Sequence, residues 1–258
     1  MGTTLVKDLF FRASSQLQDL APQFTRWTQR EFVDALNDGQ KAIAKYMPWS
    51  CSRVDAIKLK AGSKQSIEAV AATDIIPGDG STASAISGTV LQSIIRNMGA
   101  NGLTPGRSVR VVDREILDVN SPDWHSTTGT PTSGFVFDPR TPKVFYVTPA
   151  VPAATSWWVE ASFLADPVTI PHAAEGAYGK DGNSTVTISV DDKYIDDLMS
   201  YILARMFLKD AEYASNPGLA SSYTTLFTAS INAQAAAVTG VNPNLQSLPF
   251  NPNVPRKA

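Results

Sequence analysis

From Val90 to Val147 the chain reads VLQSIIRNMGANGLTPGRSVRVVDREILDVNSPDWHSTTGTPTSGFVFDPRTPKVFYV, and no other stretch constrains the fold as tightly. β-Branched and aromatic residues stand there between closely spaced Gly, Pro, Asn and Asp. That composition suits short strands joined by tight turns. Val90–Met98 predicts a strand, Asn97–Gly102 a turn, and Val109, Val111 and Val112 continue the strand texture. Asp113–Val119 predicts a short helix that starts at Asp113. Phe135–Phe137 and Val144–Val147 flank Asp138-Pro139-Arg140-Thr141-Pro142-Lys143, the pattern of a β-hairpin with a rigid turn.

Helical patterns lie on both sides of this block. Leu5, Leu9, Ala13, Leu17 and Leu20 recur at spacings of three and four, which predicts an amphipathic helix over Thr4–Leu20 that Ala21-Pro22 ends. Thr28 and Glu31 form a capping box for a second helix, with Phe32, Ala35, Leu36, Ala42, Ile43 and Met47 inward and Pro48 as its stop. From Cys51 the texture turns to strands: Val54, Ile57 and Leu59, then Ser66–Val70, with a turn at Ala61–Ser63. Trp157–Phe163 and Thr185–Val190 predict two more. Pro171–Ser184 is small, polar and glycine-rich and reads as a moving loop. Asp191-Asp192 opens a helix with Ile195, Leu198, Ile202, Met206 and Leu208 inward. Asn216-Pro217 starts a last one, whose inward face is Leu219, Tyr223, Leu226 and Ile231. Prolines at 243, 249, 252 and 255 keep the remaining chain extended. The expected fold is α+β: a helical bundle from residues 1–50 and 191–240, an inserted β-rich domain over 51–190, and an extended tail over 241–258.

Composition narrows the function. At 258 residues the chain can bury a sizeable core, and 43% hydrophobic with 18% charged residues is ordinary for a globular protein. A net charge of −2 argues against gripping nucleic acid by bulk electrostatics, though not against letting DNA slide past. One cysteine, Cys51, excludes an intramolecular disulfide framework. No stretch reaches the ~20 apolar residues of a membrane span, and the N-terminal residues lack a secretory pattern, so synthesis in the cytoplasm is expected.

Candidate chemistry is sparse, and no enzyme activity, cofactor or metal site is expected. Asp123-Trp124-His125 offers half of an acid–base pair, yet no nucleophile motif accompanies it, and Trp124 reads better as a loop anchor. Cys51 beside Trp49 reads as a small buried hydrophobe. Two histidines and one cysteine are too few for a metal centre, and Asp79 and Asp181 resemble only fragments of calcium loops. The acidic run Asp191, Asp192, Asp196 and Asp197 suits a helix N-terminus. Arg107, Arg110 and Arg114, with Arg96 upstream, could face DNA phosphates or an acidic partner, or pair on the surface. In the tail, Leu245, Leu248, Phe250 and Val254 are apolar anchors on a segment that cannot fold alone, which suits ordering on a partner.

Taken together, IIRNMG over Ile94–Gly99, TPGR and VVDRE within Thr104–Asp118, SPDWH over Ser121–His125, Phe135–Pro149 and KDAEYA over Lys209–Ala214 resemble the head-to-tail adaptor (connector) proteins of podovirus-like tailed phages. The resemblance spans most of residues 1–235. It implies a structural virion protein at the head–tail junction, forming a ring of about twelve copies beneath the portal protein. Double-stranded DNA would pass through its channel without sequence-specific binding, and the lower face would receive the tail tube or nozzle. Portal binding would fall to Leu245, Leu248, Phe250 and Val254, and loop anchoring or interface contact to Trp124, His125, Arg107 and Arg110. Two other classes stay open. One is a carbohydrate-binding module of a phage tail or fibre, with Trp124, Trp157 and Trp158 as a stacking platform. The other is a hydrolase built on Asp123 or Glu160.

Overall fold

A computed structural model describes residues 2–19, 26–174, 177–178, 184–209 and 217–240, the side chains of 238–240 aside. In chain order the elements are α1 (Val6–Leu17), α2 (Gln29–Tyr46), β1 (Ser52–Leu59), β2 (Gly62–Ser66), β3 (Ile75–Pro77), β4 (Gly88–Asn97), β5 (Arg110–Val111), α3 (Arg114–Asn120), β6 (Gly134–Phe137), β7 (Val144–Val151), β8 (Trp157–Ala165), α4 (Ile195–Lys209) and α5 (Pro217–Gly240). The fold is α+β, and it divides into two compact units: the residues up to Met47 with those from Val168 on, and Pro48–Pro167.

In the helical unit, α2 begins as its sequence dictates. The Thr28 hydroxyl accepts from the Glu31 N–H, and the Glu31 carboxylate accepts from the Thr28 N–H, closing the capping box. Phe10 of α1, fully buried, packs against Phe32 of α2 at 5.3 Å and edge-on against Tyr178 at 5.8 Å. Leu198, Ile202 and Met206 of α4 join the same core. Leu208 does not: it is exposed. The inward face of α5 is Ala220, Phe227 and Ile231 with Tyr223 half-buried, whereas Leu219 and Leu226, expected inside, are exposed.

Residues 168–190, read from the sequence as the end of the β-rich insertion, supply Ile170, Tyr178, Ile188 and Val190 to the helical core. Thr185–Val190 is not a strand, and its partners show why. Among the described residues its main chain pairs with main chain only at Thr4 and Val6, through Ile188 and Val186, and amide side chains of α2 hold Ser189 and, outside the segment, Ile170. Asn37 donates to the Ile170 carbonyl at 3.0 Å and accepts from its N–H at 2.8 Å, and Gln40 accepts from the Ser189 N–H at 2.6 Å. What remains is one antiparallel bridge between Leu5 and Thr187. Gln29 likewise donates to the carbonyls of Ala173 and Ala174, so this part of the expected moving loop is tied to a buried side chain.

Asp192 does more than favour a helix dipole. Its carboxylate accepts from the Thr3 hydroxyl at 2.6 Å and from the Thr3 and Thr4 N–H groups at 3.0 Å. The Thr3 hydroxyl and these two amides hold its pKa well below the ordinary 3.8. A depressed folded-state pKa contributes stability that is present above the ordinary value and is lost as pH falls through it. Asp192→Ala should therefore melt below wild type at pH 7, and the gap should shrink steadily below about pH 4 in thermal scans. Asp197, the last of the acidic run, is buried and accepts from Gln234 of α5 at 2.7 Å.

The second unit is two four-stranded sheets, ordered β3-β1-β8-β4 and β2-β7-β6-β5, closing on one core. Ile57, Ile94, Val159 and Phe163 from the first sheet meet Phe135, Phe145 and Val147 from the second. The predicted hairpin is β6–β7, paired from Phe137↔Phe145 to Gly134↔Thr148. Asp113 caps α3 through the Glu115 N–H at 2.8 Å, as its position suggested. The expected strand at Ser66–Val70 lies earlier, as β2, leaving only a bridge between Val70 and Ile86. One short segment belongs to both sheets. Arg107 and Val109 bond β4, while Arg110 and Val112 bond β6 and its approach: Asn97 N–H to Arg107 O, Val109 N–H to Ile95 O, Arg110 N–H to Ser133 O and Val112 N–H to Phe135 O.

Candidate functional site

The end of β4 carries the most heavily bonded side chain of the β unit. Asn97, 1% exposed, donates through Nδ2 to the carbonyls of Arg107 at 2.9 Å and Thr132 at 2.8 Å. Its Oδ1 accepts from the Thr132 N–H at 3.0 Å and from the Trp157 indole at 2.8 Å. The main chain adds the bond from Asn97 N–H to Arg107 and one from Gly106 N–H to the Asn97 carbonyl at 2.7 Å. An amide has two donors and two acceptor lone pairs, and here all four are used. The residue thus pins the Thr104–Arg107 turn, the approach to β6 and the start of β8 to one point.

Thr132 closes a loop that begins at Ser121 and carries Trp124 and His125. Trp124 is buried, and its Nε1 donates to Asp118 of α3 at 2.8 Å. The His125 ring stacks on Trp124 at 3.6 Å, and Tyr146 of β7 meets both rings edge-on. His125 Nδ1 lies 3.0 Å from the Ser63 hydroxyl of β2. Further along, Thr127 and Gly129 exchange main-chain bonds with Ala150. Trp124→Phe, which keeps an aromatic ring but deletes the indole donor and part of the buried ring system, should cost about 2 kcal/mol by urea titration, with the loop amides of 121–127 exchanging faster.

Sequence reasoning missed Ser63, which stands 62 residues from its partner; no linear signal links them. The pair places a hydroxyl at an imidazole nitrogen, but Asp123 turns its backbone carbonyl, not its carboxylate, to its neighbours Ser126 and Thr127. The arrangement holds a loop in place. Glu160 is likewise engaged, paired with Arg96 at 2.6 Å. Cys51 is half-buried, and burial followed by the Asp166 carboxylate pushes its thiol pKa up, away from nucleophile chemistry. Asp79 accepts from the Ser81 N–H at 3.0 Å in a local turn, and the Ser81 hydroxyl, followed by that N–H, lowers its pKa. Among the described residues, no group of three or more His, Cys, Asp and Glu is placed to hold a metal ion.

The three indoles do not make a stacking platform. Trp124 and Trp158 are buried, and Trp157 is half-buried with its N–H committed to Asn97. The arginines divide into two kinds. Arg96 pairs with Glu160, and Arg114 with Asp118 one helical turn on at 3.4 Å. Arg107 and Arg110 are exposed on the segment shared by the two sheets and make no ion pair among the described residues. Leu245, Leu248, Phe250 and Val254 lie outside the described residues, as do Asp181 and most of KDAEYA. No helix among the described residues is long and apolar enough to cross a membrane.

No curated protein matches this sequence. The family model described as SU10 adaptor protein matches residues 4–247, which takes in both compact units, the Asn97 hub and the Trp124–His125 loop, and the chain therefore belongs to the SU10 adaptor protein family.

Proposed function

We propose that this structural phage adaptor forms a ring of about twelve copies between the portal protein and the tail tube or nozzle, surrounding the channel through which double-stranded DNA passes. The match of the adaptor family over residues 4–247 carries this reading. A near-neutral charge supports the DNA part of it: a wall that must not trap DNA does better without a basic face. In this reading Val241–Ala258 runs along the portal as an extended clamp, with Leu245, Leu248, Phe250 and Val254 in apolar recesses. Trp124 and His125 fix a loop of the β unit, while Arg107 and Arg110 remain available to a neighbour.

The first test is the copy number relative to the portal in purified particles, by quantitative mass spectrometry. A near-equal ratio is expected. A few copies per particle would overturn the ring, and absence would overturn the virion assignment as well. A chain ending at Gly240 should lose cosedimentation with portal rings; unchanged cosedimentation defeats the clamp.

A further inference from the structure

The β unit exposes two apolar patches on opposite edges, one bordered by two arginines that make no ion pair among the described residues and the other by exposed aspartates. Strand order places β1 and β3 on one side of the first sheet and β4 on the other, with residues 107–109 beyond β4. On the β4 side, Val111 is 72% exposed, Ile116 57% and Val119 80%. The exposed Arg107 and Arg110 lie beside Val111, with no carboxylate between Asn97 and Val112, while the exposed Asp113 and Glu115 follow at the start of α3. On the β1 side, Trp49 is 59% and Val54 43% exposed. There the charges are acidic. Asp79 follows β3 where it pairs with β1, and Asp166 follows β8, the strand between β1 and β4. The nearby cation, Arg53, is paired with the buried Asp55 at 3.0 Å and also acts on Asp79.

The helix α3 adds a second argument. A seven-residue helix is marginal in water unless packing supports it, yet none of its residues is buried. Leu117 and Asp118 face the protein, the latter through Trp124, and Ile116 and Val119 share the outer face, one turn apart. Large aliphatic side chains presented this way gain most by burial against a partner.

We propose that the Val111–Ile116–Val119 face of one copy docks on the Trp49–Val54 face of the next, with Arg107 and Arg110 set against Asp79 and Asp166. Complementary patches on opposite edges make a head-to-tail contact, which closes into a ring when the rotation allows. The inference rests on the ring reading and names the surface that builds it.

The test uses full-length chain carrying p-benzoylphenylalanine in place of Val119, incorporated into particles and photolysed. Crosslinks between copies that map to Trp49–Val54 or Gly78–Ser81 are expected. Crosslinks to another virion protein, or elsewhere on this chain, overturn the contact while leaving the ring intact. A wild-type count of only a few copies per particle overturns the ring and the contact with it. Charge variants give an independent reading. Arg107→Glu with Arg110→Glu should lower incorporation about tenfold. Adding Asp79→Lys and Asp166→Lys should recover most of it. Wild-type incorporation of the first pair, or no recovery by the second, sinks the proposal.

Discussion

Asn97→Leu is expected to destabilise the β unit by about 4 kcal/mol, because each buried partner left unpaired costs about 1–3 kcal/mol. Leucine matches asparagine in side-chain heavy-atom count and branching, so the loss is chiefly one of hydrogen bonds, with a smaller contribution from its bulkier methyl groups. The Thr132 N–H, the Trp157 indole and the Thr132 carbonyl lose the side chain that satisfied them, while the Arg107 carbonyl keeps only its bond from the main-chain N–H of residue 97. Asn97→Asp separates donor from acceptor roles. It keeps an oxygen for Thr132 and Trp157 but turns an oxygen toward the two carbonyls, burying an anion against acceptors. It should therefore be as harmful as leucine at pH 7 and less so once the carboxyl is protonated. Urea titration monitored by tryptophan fluorescence reads both variants. A loss under 1 kcal/mol for Asn97→Leu would show that the hub is dispensable.

Phe10→Ala should remove a further 3–5 kcal/mol, this time from the helical unit. The ring is fully buried and touches Phe32 and Tyr178 at aromatic distances, so truncation leaves a cavity lined by rigid neighbours. Phe10→Leu should recover about half of that. Hydrogen exchange resolved by segment distinguishes the two variants. Phe10→Ala should open α1 and α2, and Asn97→Leu should open β4, β6 and β8. A variant that loosens only the other unit would contradict the core described for it.

Elements with a local code were legible in the sequence. Thr28 and Glu31 announced the start of α2, Asp113 that of α3, and the Asp138–Lys143 turn the β6–β7 hairpin, since each signal acts within a few residues. What escaped depends on distance or on degeneracy. TVTISV has strong β propensity, but its hydrogen-bond partners are the distant main chain of Thr4 and Val6 and the Gln40 amide 149 residues from Ser189, and propensity carries no information about them. The inward face of α5 was misread for another reason. The helix holds no charged residue in 24 positions, so nothing marks its wet side, and the larger leucines were chosen over Ala220 and Phe227. The functional surface shows the same split. The loop that carries Trp124 was readable from its turn residues, whereas Ser63 at His125 and the fourfold use of Asn97 exist only in the folded chain.

The segment from Arg107 to Val112, which lends its first half to one sheet and its second half to the other, gives the β unit a mechanical character. Stacked sheets joined only by side chains can slide along the strand direction, trading one set of apolar contacts for another at little cost. Here any such displacement must break the main-chain bonds at Asn97, Val109, Arg110 and Val112 together. The two layers are riveted along one side, and a load applied to either is carried by both as a single stiff plate.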